Sequence, residues 1–275
     1  MIKKITPRSI HFHYKDSYPK YWFDNDIVKT YHANVLAAYI PYTEKFIINC
    51  VKAYRTKIKD PQLQSDVKAF IQQESYHTRE HFKFLNKIVL PHYPKLKVTR
   101  YKFFILLILT IVSGKKVRLA MTAAGEHFTS VISDLFLSSP ELFEGIDPTL
   151  AEFWRWHFIE EIEHKAVTFD LLKEAKCGYF VRAYGFVLAT LFYISGMLRP
   201  YLQMAYKDKL LLSPSFYFKS INYFWGNPGI MRKCFIPYIR FLKPNFHPWQ
   251  VHNDHLIDKW LKASEIINKS PTAKS

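Results

Sequence analysis

Residues 154–170 read Trp154-Arg155-Trp156-His157-Phe158-Ile159-Glu160-Glu161-Ile162-Glu163-His164-Lys165-Ala166-Val167-Thr168-Phe169-Asp170. On a 3.6-residue repeat the surrounding segment has one coherent face: Leu150, Phe153, His157, Glu161, His164, Thr168, Leu171. Each step is three or four residues, so all seven share one side of a helix. The ends of that face are apolar and its centre is His, Glu, His. Carboxylates and imidazoles on an apolar face require a partner, because a buried charge is costly unless paired or bound to a cation.

Three more segments repeat the pattern. Over 61–90 the face reads Leu63, Val67, Phe70, Glu74, His77, His81, Leu85, Ile88, with a Glu-x-x-His pair at its centre. Over 115–138 it reads Leu119, Thr122, Glu126, Thr129, Ser133, Leu137, with one carboxylate. In 41–58, Glu44 lies next to Phe46, Ile47 and Ile48; a Glu this near a helix start also suits the helix dipole. The four segments therefore supply, in order, Glu; Glu-x-x-His; Glu; and His-x-x-x-Glu-x-x-His. One Glu from each of two helices plus Glu-x-x-His from each of two others is the donor pattern of di-metal carboxylate bundles. The candidate metal ligands are Glu44, Glu74, His77, Glu126, His157, Glu161 and His164, around two ions. Iron is favoured, with manganese and zinc as alternatives. Glu126 and Glu161 are the candidate catalytic carboxylates. His81, one turn past His77, reads as a supporting residue and His127, off that face, as a structural one, with Glu80, Glu160 and Glu163 as solvated or supporting charges. Asp170 and Arg79 are candidates to orient the ligating imidazoles.

The expected fold is all-α: a ferritin-like four-helix bundle with a di-metal core plus additional C-terminal helices. The expected helices are 27–40, ended by Pro41; 41–58, starting on that proline; 61–90 and 148–175, capped by Asp60 and Asp147; 101–138, kinked near Ser113-Gly114; and 179–207, interrupted near Arg199-Pro200. Prolines at 214, 228, 237, 244 and 248 divide the remainder of the chain into short helices, the last at 251–268. Residues 1–178 form the bundle and 179–275 a C-terminal extension packed on it, the two forming one integrated domain.

Composition narrows the classes. The chain has 275 residues, 49% of them hydrophobic, which excludes a disordered or low-complexity protein. Only 8 glycines argue against a strand-and-turn fold and against a phosphate-cradling loop. Cys50, Cys177 and Cys234 are dispersed and form no CxxC pair, which fits a reducing compartment rather than a disulfide framework. The first 22 residues contain no continuous apolar run, so no signal peptide is expected there and the cytoplasm is the default location. The net charge is +16 and uneven: residues 176–275 carry 14 basic and 4 acidic groups with 20 of the 47 aromatics. These basic residues are scattered and form no nucleic-acid motif, so an anionic membrane surface fits better. The apolar runs 103–112 and 183–198 are shorter than a membrane span; they read as buried helices or as helices that dip into a membrane.

The chain resembles a bacterial family of predicted metal-dependent hydrolases in the ferritin-like group. The resemblance rests on Pro41-Tyr42-Thr43-Glu44, Gln73-Glu74-Ser75-Tyr76-His77, Gly125-Glu126-His127-Phe128-Thr129 and the run 154–170, and covers roughly residues 8–265. Members usually carry Gly where this chain has Thr43. In ligand order alone the chain is also similar to the di-iron arylamine N-oxygenases, which implies that His157 is a third imidazole ligand.

Three functions compete. The donor set favours an O₂-activating oxidase or oxygenase of an apolar or aromatic small molecule or acyl chain, fed by an electron donor. The alternative is a metal-dependent hydrolase using a metal-bridging water. The third is a non-catalytic metal-binding or membrane-surface protein.

Overall fold

The computed structural model describes residues 5–96 and 113–264. The described chain is helical, with no strand among the described residues. Its helices are α1 (Ile27–Lys52), α2 (Pro61–Phe84), α3 (Gly114–Ser138), α4 (Pro148–His164), α5 (Val167–Glu174), α6 (Tyr179–Lys207), α7 (Pro214–Trp225), α8 (Ile230–Ile239) and α9 (Asp254–Ala263). The expected apolar run 103–112, the start of the 101–138 helix and the tail beyond 264 lie outside the described residues.

The predicted caps hold. Asp60 accepts from the amides of Gln62 and Leu63, Asp147 from that of Thr149, and a proline follows each as the first helical residue. Proline lacks only an amide that has no helical partner there.

Four expectations are corrected. Pro41 does not end a helix: α1 runs unbroken through it, and Pro41 is buried. Its φ is already helical, and packing of α1 against α2 and α6 outweighs one lost backbone hydrogen bond. Glu44 therefore sits in the interior of a long helix, not near a helix start, and the dipole has no role there. Pro200 likewise lies inside α6, which is continuous from Tyr179 to Lys207. The expected helix 148–175 is instead two, α4 and α5, with a break at Lys165-Ala166. At the break the Lys165 ammonium turns inward and donates to Val251 O (2.8 Å) and Asn253 Oδ1 (2.6 Å). The last described helix, Asp254–Ala263, is shorter than 251–268.

α1, α2, α3 and α4 surround the polar seam, and α5 extends the α4 side against α2 and α3. The large core cluster draws its buried aromatics from several elements: Trp22, Tyr31, Phe84, Phe153 and Trp156. The N-terminal segment is fastened across the bundle. Phe12 N donates to Glu80, and Trp22 Nε1 donates to Asn34 Oδ1 at 2.9 Å. Buried His127 places Nε2 3.0 Å from Tyr238 O and so ties α3 to α8, a structural role as expected.

α6 packs along α3 and reaches α1. Gly185 allows the approach: a methyl group there would lie 2.5 Å from Ala120 Cβ and 2.8 Å from the Ala120 carbonyl carbon. Backbone cannot yield as a flexible side chain can, so Gly185→Ala must separate the two helices. That variant is expected to lose about 1–3 kcal/mol of stability, read as a lower melting temperature. A variant as stable as the parent would show that the contact is not tight.

Candidate metal centre

The seam residues predicted on four helices converge. Glu44 (α1), Glu74 and His77 (α2), Glu126 (α3), and His157, Glu161 and His164 (α4) are all buried to 3% exposure or less. His164 Nε2 lies 3.1 Å from Glu126 Oε2, 3.2 Å from Glu74 Oε1 and 3.3 Å from Glu161 Oε2. His77 Nδ1 lies 3.6 Å from Glu161 Oε1, 3.7 Å from Glu74 Oε1 and 3.8 Å from Glu44 Oε1. His157 Nε2 is 3.5 Å from Glu161 Oε1. Glu161 therefore touches all three imidazoles, and Glu74 touches two.

The inward-facing atoms lack hydrogen-bond partners. Glu44 Oε1, Glu74 Oε1, His77 Nδ1, Glu126 Oε2 and His164 Nε2 are all buried without one. One orphaned buried polar atom needs an explanation; five close together mark a candidate cation site. Donor atoms of Glu44, Glu74 and His77 lie within 4.8 Å of one another, as do those of Glu74, Glu161 and His164, and those of His77, His157 and Glu161. A fourth group joins Glu44, His81 and His157. His81 thus stands nearer the centre than the sequence suggests, with Nε2 3.3 Å from His157 Nδ1. Carboxylate oxygen and imidazole nitrogen together suit zinc, manganese and iron.

The outward-facing atoms are held firmly. His77 Nε2 is 3.0 Å from Glu160 Oε2. His164 Nδ1 is 3.1 Å from Gln73 Oε1, and Gln73 Nε2 donates to Glu163 Oε2 at 2.8 Å. Arg8 then closes the network, donating to Glu160 at 3.2 Å and to both oxygens of Glu163 at 2.9 and 2.6 Å. Thr78 donates to Glu44 Oε2 at 2.9 Å, and Thr129 to Glu161 Oε2. Such outer partners fix the ring orientation and basicity of ligating imidazoles.

Of the two expectations for Glu160 and Glu163, the supporting one holds: both are buried, Glu160 against His77 and Glu163 linked through Gln73 to His164. Arg79 and Asp170 do not orient these imidazoles: Arg79 pairs with Glu80, and Asp170 with His247. Glu80 is also buried, but it secures the N-terminal segment. Gln73, Thr78 and Arg8 carry no local sequence signal for their supporting roles. Glu160 and Glu163 do carry one: three glutamates within four residues of a helix spread around its axis and cannot all reach solvent.

Burial and charge shift the titrations in opposite directions. Burial, together with Glu74 and Glu161, pushes Glu126 up to about 8. Burial and Glu74 likewise hold Glu44 well above the usual carboxylate range. Glu161 resists its own burial because His164, His157 and His77 surround it, and it falls to about 2. Burial lowers His157 and His81, whereas at His77 and His164 the facing carboxylates outweigh burial and raise both.

A cavity of about 390 Å³ adjoins the cluster. Its walls come from α1, α3, α4, α6 and, through Tyr238, α8, with Ile40, Phe46, Ile132 and Phe192 among the apolar lining residues. Thr129 and His157 line it too, so the cavity wall and the cluster share side chains.

A buried Glu/His centre with oriented imidazoles, set in a helical core beside an apolar cavity, defines a candidate metalloenzyme. The chain belongs to the family described as predicted metal-dependent hydrolase, whose model matches residues 6–252. No curated protein and no solved structure matches the chain.

Two outcomes are expected from this geometry. Glu74→Ala and Glu161→Ala should lose most of the bound metal in elemental analysis, and Gln73→Ala should weaken metal affinity about 10–100-fold; full retention in the first two removes the site. Without a cation, the facing carboxylates favour a proton on His77 and His164 and burial favours one on Glu126, so a cation competes with protons there. Affinity should therefore rise with pH, and calorimetry in buffers of different ionisation enthalpy should detect released protons. Binding without proton release would contradict the arrangement.

Proposed function

We propose that the chain is a hydrolase that holds two divalent cations between α1, α2, α3 and α4 and acts on a small, largely apolar ester or amide. The observation that carries this reading is the convergence of unpartnered buried donor atoms beside the apolar cavity. The family description supports hydrolysis over the O₂ chemistry that ligand order alone favours. The proposed ligands are Glu44, Glu74, His77, Glu126, His157, Glu161 and His164, with His81 as a further donor. In this reading the four helices form a ferritin-like bundle, and 179–275 belongs to the same integrated domain because α6 contributes to the cavity wall.

Bound cations would supply Lewis-acid polarisation of a carbonyl and a water of lowered pKa. The protein's own work is positioning. Glu160 and Gln73 aim His77 and His164, Thr78 and Thr129 fix Glu44 and Glu161, and Arg8 balances the outer carboxylates. Glu126 and Glu161 face the same imidazole from α3 and α4 and are the proposed catalytic carboxylates. Glu126 is the one whose surroundings favour keeping a proton near neutral pH, and Glu161 the one held ionised. The Phe and Ile side chains of the cavity exclude water from the apolar part of a substrate.

A second reading is retained for one specific observation: four carboxylates to three imidazoles around an apolar cavity also suits a di-iron oxidase or oxygenase. One experiment separates the two. Protein loaded with zinc or manganese is expected to cleave nitrophenyl esters or anilides of short acyl chains at a rate that Glu74→Ala abolishes. Iron-loaded protein with no esterase or amidase activity and a visible absorption band on exposure to air would instead favour O₂ chemistry. The cavity is tested separately through Gly125, where an added Cβ meets open space. Gly125→Phe should keep its metal and lose about tenfold or more in kcat/KM, the scale of a lost apolar contact surface.

A further inference from the structure

The exposed apolar side chains are strongly segregated. Of the large hydrophobic residues that are exposed among the described residues, all but Tyr42 fall between Tyr179 and Ile236, on α6, α7, α8 and their connections. Six of the eight on α6 form a single stripe: Phe180, Tyr184, Val187, Leu191, Ile194, Leu198, at steps of three and four. The stripe is about 27 Å long at 1.5 Å per residue. Phe180 is 84% exposed and Ile194 53%. α7 and α8 continue the exposure with Phe218 at 73%, Ile221, Trp225, Phe235 and Ile236, and the Trp225 and Phe235 rings lie 6.5 Å apart across the two helices. A contiguous apolar stripe of this length is not ordinary surface scatter; it marks an interaction surface.

Charge identifies the occupant. From Tyr179 to Lys243 the chain has nine basic residues and one acidic residue, Asp208. Asp208 is already neutralised by Lys20 and by the hydroxyls of Tyr21, Tyr31 and Tyr93. Lys207, Lys209, Lys219, Lys233, Arg240 and Lys243 are exposed. Apolar and aromatic side chains interspersed with Lys and Arg, without free acid, complement an anionic bilayer surface.

α6 has a mean hydropathy of 1.4 over 18 residues, enough by length and composition to cross a membrane. Its opposite face is packed against α3 and α1, however, with Phe186, Leu188, Phe192 and Met204 buried and Gly185 and Gly196 in close contact with Ala120 and Tyr39. A helix held along its length by the bundle can lie on a bilayer but cannot leave the bundle to span it.

We infer that the α6–α8 layer is a membrane-docking face that seats the protein on anionic phospholipid, with the α6 stripe in the acyl region and the basic residues among the headgroups. The inference is independent of the hydrolase reading, since none of these side chains is a proposed metal ligand.

The test is co-sedimentation of the full chain with phosphatidylcholine vesicles, with and without phosphatidylglycerol, at low and high salt. Binding that requires the anionic lipid and weakens with salt is expected. Leu191→Glu with Ile194→Glu should reduce partitioning by about tenfold or more, and Lys219→Glu with Lys233→Glu should remove much of the salt-sensitive part. Metal content and melting temperature in the same variants show that the fold is retained, because all four positions are exposed. Absence of vesicle binding by the parent protein, or equal binding by the α6 variant, overturns the inference. A stable dimer in solution that the α6 variant dissociates would assign the face to a second copy instead, and also overturns it.

Discussion

The structure depends on burying four carboxylates and three imidazoles at one point. Without compensation, such a group of ionisable side chains is strongly destabilising in an apolar interior. Two layers of compensation are visible. Inside, His77 and His164 face Glu44, Glu74, Glu126 and Glu161 at distances of 3.1 to 3.8 Å. Outside, Gln73, Glu160, Glu163 and Arg8 hold the far side of each ring. The inner layer is incomplete, because five of its atoms have no hydrogen-bond partner, and that deficit is what cations are suited to fill.

The helices are arranged to serve this centre. At the break after His164, Lys165 turns to Val251 and Asn253 while His164 remains at the end of α4. The unbroken passage of α1 through Pro41 places Glu44 opposite α2, where Thr78 can hold it. The N-terminal segment, with almost no regular structure, crosses the bundle to bring Arg8 to Glu160 and Glu163. Removing that guanidinium would leave two buried carboxylates without their counter-charge, the situation in which breaking a buried ion pair is most damaging.

α6 has two different sides. Its inner side packs on α3 and α1 and reaches the cavity through Ala189, Phe192 and Tyr193. Its outer side carries apolar residues with no covering element among the described residues. The net charge of +16 takes on a more specific meaning in this light. Four glutamates are withdrawn into the centre, so the exterior is more basic than the total suggests, and much of that excess borders the exposed apolar surface.

Local sequence determined the helical class, the Asp-Pro helix starts and all seven inward-facing residues of the centre. Periodicity is enough for those features, because a helix face is defined by steps of three and four, and a polar interruption in an apolar face is visible without any tertiary knowledge. The same logic misjudged Pro41 and Pro200, where packing on neighbouring helices outweighs one missing hydrogen bond, and it could not see the break at Lys165. It also missed Gln73, Thr78 and Arg8 in the outer network. Arg8 and Glu163 are far apart in the chain, and nothing local joins Gln73 to His164. Only tertiary structure decided which partners hold the far side of each ring, because that choice depends on which segments the fold brings together. The same holds for the exposed stripe of α6: its sequence reads as a core helix too, and only the placement of α3 and α1 on one side leaves the other side uncovered among the described residues.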